Sequence, residues 1–343
     1  MINFTCDYTR AGCQEVMNAI AKASGQYLGY SDDEITARAK ELVKRKCNCT
    51  DSDVHFLVGG TQTNCTFISS VLRPHEGVIA SATGHINVHE TGAIESTGHK
   101  VLVIESEDGK IKASTLDKYI SDNFNDPNFE HIVKAGMVYI SNSTEIGTIY
   151  HKHELEELHE VCQRHCIPLY MDGARLGYAM ATAENDLTLH DLTLLTDAFY
   201  IGGTKQGALF GEALVINNNA LKKDFRYIMK QRGALMAKGF LLGAQFEALM
   251  QGDTYERYSR HAIEQAQRIR KALKAKNIPL LIDSPTNQIL PIFTNAQLDK
   301  LSDRFIFDHW CHPDENTTQV RIATDWSTCE EDVTELINEL NKI

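Results

Sequence analysis

Between residues 54 and 216 the chain repeats one pattern: a short apolar run, a turn, a segment of helical character, then another run. The runs lie at 54–58, 77–81, 100–104, 135–141, 168–171, 198–201 and 213–216, and most are rich in Val, Ile, Leu or Tyr. A strand that is apolar at successive positions has two faces to bury, so these seven read as a mainly parallel α/β sheet covered on both sides. The joins agree. Over 153–166, Leu155, Leu158, Val161 and Cys162 fall near helical spacing, the pattern stops at Ile167-Pro168, and a strand follows at once. Upstream, 15–46 reads as two helices that break near Gly25, with Ser31-Asp32-Asp33 as cap residues ahead of the second. After Asn218 the character changes to long helices (220–229, 239–250 and 255–276), followed by short strands at 288–293 and 319–324 and a terminal helix at 330–343. This places a boundary near residue 245, dividing a large domain, 1–245, from a small α+β domain, 246–343.

Composition narrows the function. The chain has 343 residues, 43% hydrophobic and 23% charged, which suits one large domain plus a smaller one. A formal charge of −12 argues against a nucleic-acid partner, which needs a basic face. No apolar run approaches the ~20 residues that span a bilayer, so no membrane partner is expected. The first residues lack a signal-peptide pattern, and the nine cysteines show no disulfide-rich spacing, so they read as reduced thiols of a cytoplasmic protein.

Three segments sit where α/β proteins place ligands, just past the carboxyl ends of strands. In the first, Gly59-Gly60-Thr61 precedes an apolar helical stretch; paired glycines let backbone N–H groups approach an anion, although Gly-Gly-Thr after a strand is more often a plain turn. In the second, Met171-Asp172-Gly173-Ala174-Arg175, an aspartate at the end of an apolar strand needs a partner to offset burial. Arg175 could be that partner in a purely structural reading; in a functional one, Asp172 holds a proton on a pyridine nitrogen. In the third, Gly202-Gly203-Thr204-Lys205, a lysine sits among glycines at a strand end. In a confined site its amine becomes easier to deprotonate, which favours a Schiff base. Asp172 and Lys205, each closing a strand 33 residues apart, say more together than either alone.

With Asp-Gly-Ala-Arg at 172–175, Gly-Gly-Thr-Lys at 202–205, Gly60-Thr61, the His85 segment, Gly29-Tyr30-Ser31-Asp32-Asp33 and Val320-Arg321-Ile322-Ala323-Thr324 in this order, the chain resembles the low-specificity threonine aldolase and β-eliminating lyase group of fold type I enzymes. These are the aspartate-aminotransferase-like enzymes that use pyridoxal 5'-phosphate (PLP). The resemblance covers nearly the whole length. It implies that Lys205 binds the cofactor as a Schiff base, Asp172 pairs with the ring nitrogen and His85 stacks on the ring. It further implies that Gly60, Thr61 and Thr204 bind the phosphate, with Lys238 reaching the phosphate of a neighbouring subunit. Arg175 and Arg321 would hold the substrate carboxylate, and Cys6, Tyr30 and His89 would line the substrate side. The implied activity is retro-aldol cleavage of L-threonine, L-allo-threonine or related β-hydroxy-α-amino acids to glycine and an aldehyde, with His85 or His89 as base, in a homodimer or homotetramer whose sites lie between subunits. β-Elimination by the same apparatus, or amino-acid binding without catalysis, is the alternative. The chain departs from the group at Cys6 (commonly serine), His89 (tyrosine in some members) and Ser31 (usually glycine). These positions bear on substrate choice and leave the cofactor residues intact.

Other signals read as structural. His159, Cys162 and Cys166 share a helix face and could ligate a metal, but Cys162 and Cys166 lie with Leu155 and Leu158, and core packing is the better account. No metal site is expected. Cys47-Asn48-Cys49 reads as a surface turn, His99 and His131 as surface residues, and Trp310 and Trp326 as packing residues of the small domain.

Overall fold

The computed structural model describes residues 1–343. After a short N-terminal strand, β1 (Ile2–Asn3), the seven expected runs appear as β2 (Asp53–Leu57), β3 (Glu76–Ser81), β4 (Val101–Ile104), β5 (Lys134–Ser141), β6 (Leu169–Asp172), β7 (Ala198–Gly202) and β8 (Glu212–Ile216). They form one sheet in the order β2-β8-β7-β6-β5-β3-β4, in which only β8 runs antiparallel to its neighbours. Successive side chains point to opposite faces. Val138, Ile140, Leu169, Met171, Phe199 and Ile201 therefore enter one core cluster, and Met137, Tyr139, Tyr170, Ala198 and Tyr200 enter the other. The alternation puts Tyr139, Tyr170 and Tyr200, on three adjacent strands, on the same face. Their hydroxyls need partners there, and the site supplies them.

The helices at 15–46 are Gln14–Lys22 and Glu34–Cys47, and Asp33 caps the second by accepting the Thr36 N–H at 2.8 Å. The expected 220–229 helix is a short turn at Asn219–Leu221 followed by Phe225–Gln231, and Phe240–Met250 and Thr254–Ala275 come after it. The remaining strands are β9 (Gln288–Ile289), β10 (Ile292–Thr294), β11 (Phe305–Ile306), β12 (Asp308–Asp314) and β13 (Thr317–Ala323). β13 pairs with β9, β10 and β12, and β1 pairs with β11. A third core cluster gathers here, drawing all of its buried residues except Phe4 from after residue 265. β12 escaped the sequence reading because it is an edge strand with a Pro and no apolar alternation, a pattern that edges tolerate.

Several side chains sit elsewhere than expected. His99 is buried and hydrogen-bonds the Glu76 carbonyl at 3.1 Å, because β3 and β4 close over it. Cys47 and Cys49 flank a turn at the left-handed Asn48, but both thiols point inward and are buried. Cys162 packs in the large core, whereas Cys166 is exposed at the end of its helix, Lys152–His165. Trp326 packs against the large core rather than the small one. No helix is long and apolar enough to cross a membrane.

Candidate active site

Four turns at the carboxyl ends of β3, β5, β6 and β7 converge with β9, β12, β13 and the N-terminal segment around a cavity of about 620 Å³. Open α/β sheets bind ligands on this side. The two glycine motifs are explained by crowding here. A Cβ at Gly173 would lie 1.8 Å from the Tyr200 carbonyl oxygen, and one at Gly202 would lie 2.4 Å from that of Ala174. The turns after β6 and β7 interlock, with the Gly202 N–H donating to the Gly173 carbonyl at 3.0 Å. That contact fixes Asp172 and Lys205 relative to one another.

Asp172 is 4% exposed, and its carboxylate is fully engaged. Oδ1 accepts from the Tyr200 hydroxyl (2.5 Å) and the Ala174 N–H (3.0 Å), while Oδ2 accepts from the Tyr139 hydroxyl (2.7 Å) and Asn64 Nδ2 (3.0 Å). Burial pushes its pKa up, but the charge of His85 and these donors outweigh burial and hold it below the ordinary value. An anion stabilised in this way can face a protonated ring nitrogen. Arg175 is not its partner. Arg175 instead forks onto Asp7 (Nε to Oδ2 2.7 Å, Nη2 to Oδ1 3.0 Å), and Asn287 donates to the same Oδ2 at 2.9 Å. Asp7 carries no motif signal, and 168 residues separate the pair, so sequence spacing could not reveal it.

Lys205 lines the cavity. Burial and then the charge of Arg175 lower its pKa, opposed by Asp7, Asp172 and Glu212, and no hydrogen bond contributes. A half-buried amine that deprotonates easily and has no protein partner suits an aldehyde-bearing cofactor. His85, at the start of the helix His85–Val88, is held through Nδ1 by Glu90 at 2.8 Å. Asn64 Nδ2 donates to the same Glu90 oxygen (2.8 Å), and its Oδ1 accepts from the Tyr170 hydroxyl (3.0 Å). One amide thus links the carboxylate beneath the cavity to the imidazole at its wall.

His85, His89, Arg175, Lys205 and Arg321 meet at the cavity. Arg321, on β13, forms an ion pair with Asp308 (2.8 Å) and donates to the Thr5 carbonyl (3.2 Å), with the Trp310 ring 5.6 Å away. Trp310 therefore lines the cavity with Asp308, His309 and Cys311 and is not buried in the small core. Gly60 opens the helix Gly60–Val71, and a Cβ there would meet the Tyr200 hydroxyl at 2.9 Å. Thr61 is exposed in the same first turn. The Thr204 hydroxyl donates to Glu212 at 2.8 Å. Glu212 is a buried carboxyl that the sequence reading passed over; burial raises its pKa to about 7, against the pull of Thr204, Gly203 and Lys205. Cys6 lines a neighbouring groove with Met1, Thr9 and Asp325. Tyr30 and Lys238 lie outside the cavity on the exposed surface, where the Tyr30 ring receives Lys230 at 4.2 Å. Tyr8 and Glu145 line the cavity and carried no motif, although Glu145 follows the carboxyl end of β5 as ligand-facing residues do.

The family model for beta-eliminating lyases matches residues 3–295. Low specificity L-threonine aldolase of Pseudomonas aeruginosa is 33% identical over 262 residues, 76% of this chain and 74% of that protein. The protein of the same description from Pseudomonas sp. is 35% identical over 269 residues, 77% and 76% of the two chains. The solved structure of a threonine aldolase from Leishmania major superposes with a TM-score of 0.97 at 41% identity, covering 100% of this chain and 99% of that one. Aspartate aminotransferase from Thermus thermophilus superposes with a TM-score of 0.73 at 14% identity, covering 100% and 91%, a likeness of fold.

Proposed function

Because the chain belongs to the beta-eliminating lyase family, we propose that it is a PLP-dependent carbon–carbon lyase that cleaves L-threonine, L-allo-threonine or a related β-hydroxy-α-amino acid to glycine and an aldehyde. One observation carries the reading: a half-buried, unpartnered Lys205 amine shares a cavity with two arginines above a buried, fully hydrogen-bonded Asp172. PLP bound there supplies an electron sink for the pair left on Cα when one of its bonds breaks. Lys205 is the residue that holds it, Asp172 keeps a proton on the ring nitrogen, and His85 presents its imidazole face. Gly60 and Thr61 offer N–H groups and a hydroxyl at a helix N-terminus, which suits a phosphate. Thr204 is assigned to the same phosphate, and its bond to Glu212 would then rearrange or be shared.

Arg175 and Arg321 orient the substrate carboxylate by charge-assisted hydrogen bonds, and this selects which Cα bond is broken. Asp7 holds two of the Arg175 nitrogens, while Asp308 and the Thr5 carbonyl hold Arg321. Tyr8 and His89 close the substrate side, with Cys6 behind them. Lys238 and Tyr30, exposed in one chain, are assigned to the site of a second copy, which makes a homodimer or homotetramer the working form. We also divide the chain into a cofactor-binding part, 1–245, and a smaller part, 246–343, with the helix Phe240–Met250 packed on the larger core. A cytoplasmic location is part of the same reading.

Adding PLP to purified protein and reducing with borohydride tests the cofactor assignment: the label belongs on the peptide carrying Lys205. A label that persists at the same site in Lys205→Ala refutes it. Incubation with the threonine isomers and serine tests the reaction, since acetaldehyde plus glycine marks aldol cleavage. Ammonia plus a keto acid would mark β-elimination instead.

A further inference from the structure

The cavity holds two acidic groups that none of these roles uses, Glu145 and Asp308. Glu145 lies four residues past the end of β5, and its side chain lines the cavity with Lys205 and Arg175. Oε1 accepts from the Ser141 hydroxyl at 2.7 Å and from the His85 N–H at 2.9 Å. Those two donors fix the carboxyl rotamer. Oε2 receives no donor from another residue and is not sealed in protein, which leaves it as the oxygen turned to the cavity.

The other candidates for a base are less free. His85 is assigned above to the face of the cofactor ring, with Nδ1 held by Glu90. Burial and the neighbouring charges of His85, Arg321 and Arg175 make His89 a weaker base than a free imidazole. Asp308, the other carboxylate at the cavity, receives Arg321 at 2.8 Å and Trp310 Nε1 at 3.0 Å on the same oxygen. Glu145 has the opposite bias: burial pushes its affinity for a proton up, against the pull of Ser141. The charged and titratable groups around it are Asp172, His85, Arg175 and the phenols of Tyr139 and Tyr150.

We propose that Glu145 Oε2 is the base that takes the β-hydroxyl proton of the substrate. This rests on the aldol-cleavage reading above. As Oε2 accepts the proton, the O–H electron pair becomes the new C=O bond of the departing aldehyde. The Cα–Cβ bond breaks and its pair stays with Cα, where a proton must be delivered to complete glycine. That proton comes from solvent water, and Glu145 returns the one it took to solvent, so the site is unchanged after one turnover.

Two reactions of the holoenzyme separate this role from a structural one. Cleavage of L-threonine or L-allo-threonine needs a base at the β-hydroxyl. Exchange of the glycine α-proton in D2O, followed by NMR, does not, because glycine has no β-hydroxyl. Glu145→Gln is expected to slow cleavage by about 10²–10⁴-fold while leaving cofactor absorbance and glycine exchange within about threefold of wild type. Cleavage within about threefold of wild type overturns the proposal. Loss of both reactions with cofactor still bound also overturns it, by showing that Glu145 only positions His85. If Glu145→Gln does not fold, Ser141→Ala is the second probe: losing a donor on Oε1 should move the acid limb of the kcat/KM profile to higher pH, and an unmoved limb overturns the proposal. A wild type that exchanges glycine but cleaves no threonine isomer removes the aldol reading itself, and this proposal with it.

Discussion

Asp7→Asn probes how the N-terminal segment is tied to the active site. Asp7 is wholly buried, with two Arg175 N–H groups and one from Asn287 on its carboxylate. Burial pushes its pKa up, yet the charges of Arg175 and Lys205 prevail and pull it from 3.8 to about 2. At about 1.4 kcal/mol per unit, that drop corresponds to roughly 2–3 kcal/mol of stability at neutral pH. Deleting one partner of a buried pair and stranding the other costs roughly 3–5 kcal/mol. Asparagine keeps one acceptor oxygen, so the expected loss is about 2–4 kcal/mol. A depressed carboxyl pKa stabilises the fold above its unfolded value and loses that effect as pH falls through its folded value. The gap between wild type and variant should therefore be full at pH 7 and close between 3.8 and about 2. Urea titrations followed by far-UV circular dichroism measure it as a lower midpoint at unchanged slope. A variant as stable as wild type at pH 7, or a gap that does not narrow in acid, would refute the reasoning.

Three further outcomes are expected. Asp172→Asn removes the anion opposite the ring nitrogen and should lower kcat at least ~100-fold, about 2.7 kcal/mol of barrier, with cofactor still bound; steady-state kinetics and visible absorbance check it. Glu212 has a folded pKa raised from 4.5 to about 7, so its contribution to stability is full below 4.5 and is lost as pH rises through about 7. Wild type should lose stability over that window in urea titrations, and Glu212→Gln should flatten that leg. Gly173→Ala drives a Cβ into the Tyr200 carbonyl oxygen at 1.8 Å and should cost more than ~4 kcal/mol, seen as lost soluble protein. Gly59→Ala is its control: it has no atom within 4 Å and an extended backbone, so its melting temperature should match wild type.

The large sheet was legible because most of its strands are buried on both faces, which leaves an unbroken apolar run in the sequence. Asp172 and Lys205 were legible because a charge closing such a run is costly without a purpose. What escaped was contact at long range. Nothing near Asp7 announces Arg175, because that pairing, across 168 residues, is made by the packing of the N-terminal segment on the turn after β6. β12 escaped because an edge strand facing solvent needs no apolar alternation, and Trp310 was misplaced with it. Glu145 lay in a turn whose position was predictable, but the choice of which residue in that turn faces the ligand belongs to the backbone path.

The edge position of β12 has a consequence for how such an enzyme can be changed. The cofactor end of the cavity is built on central strands, and Asn64 ties Asp172 to Glu90 and His85, so a substitution at one of these positions disturbs the others. The outer wall, Asp308 to Cys311, rests on a strand bonded on one side only. A library varied at 309–311 should therefore yield many folded members with altered preference for the substrate's side chain, whereas one varied at 64, 85 and 90 should yield few. New specificity is cheapest to explore at the frayed margin of the small sheet.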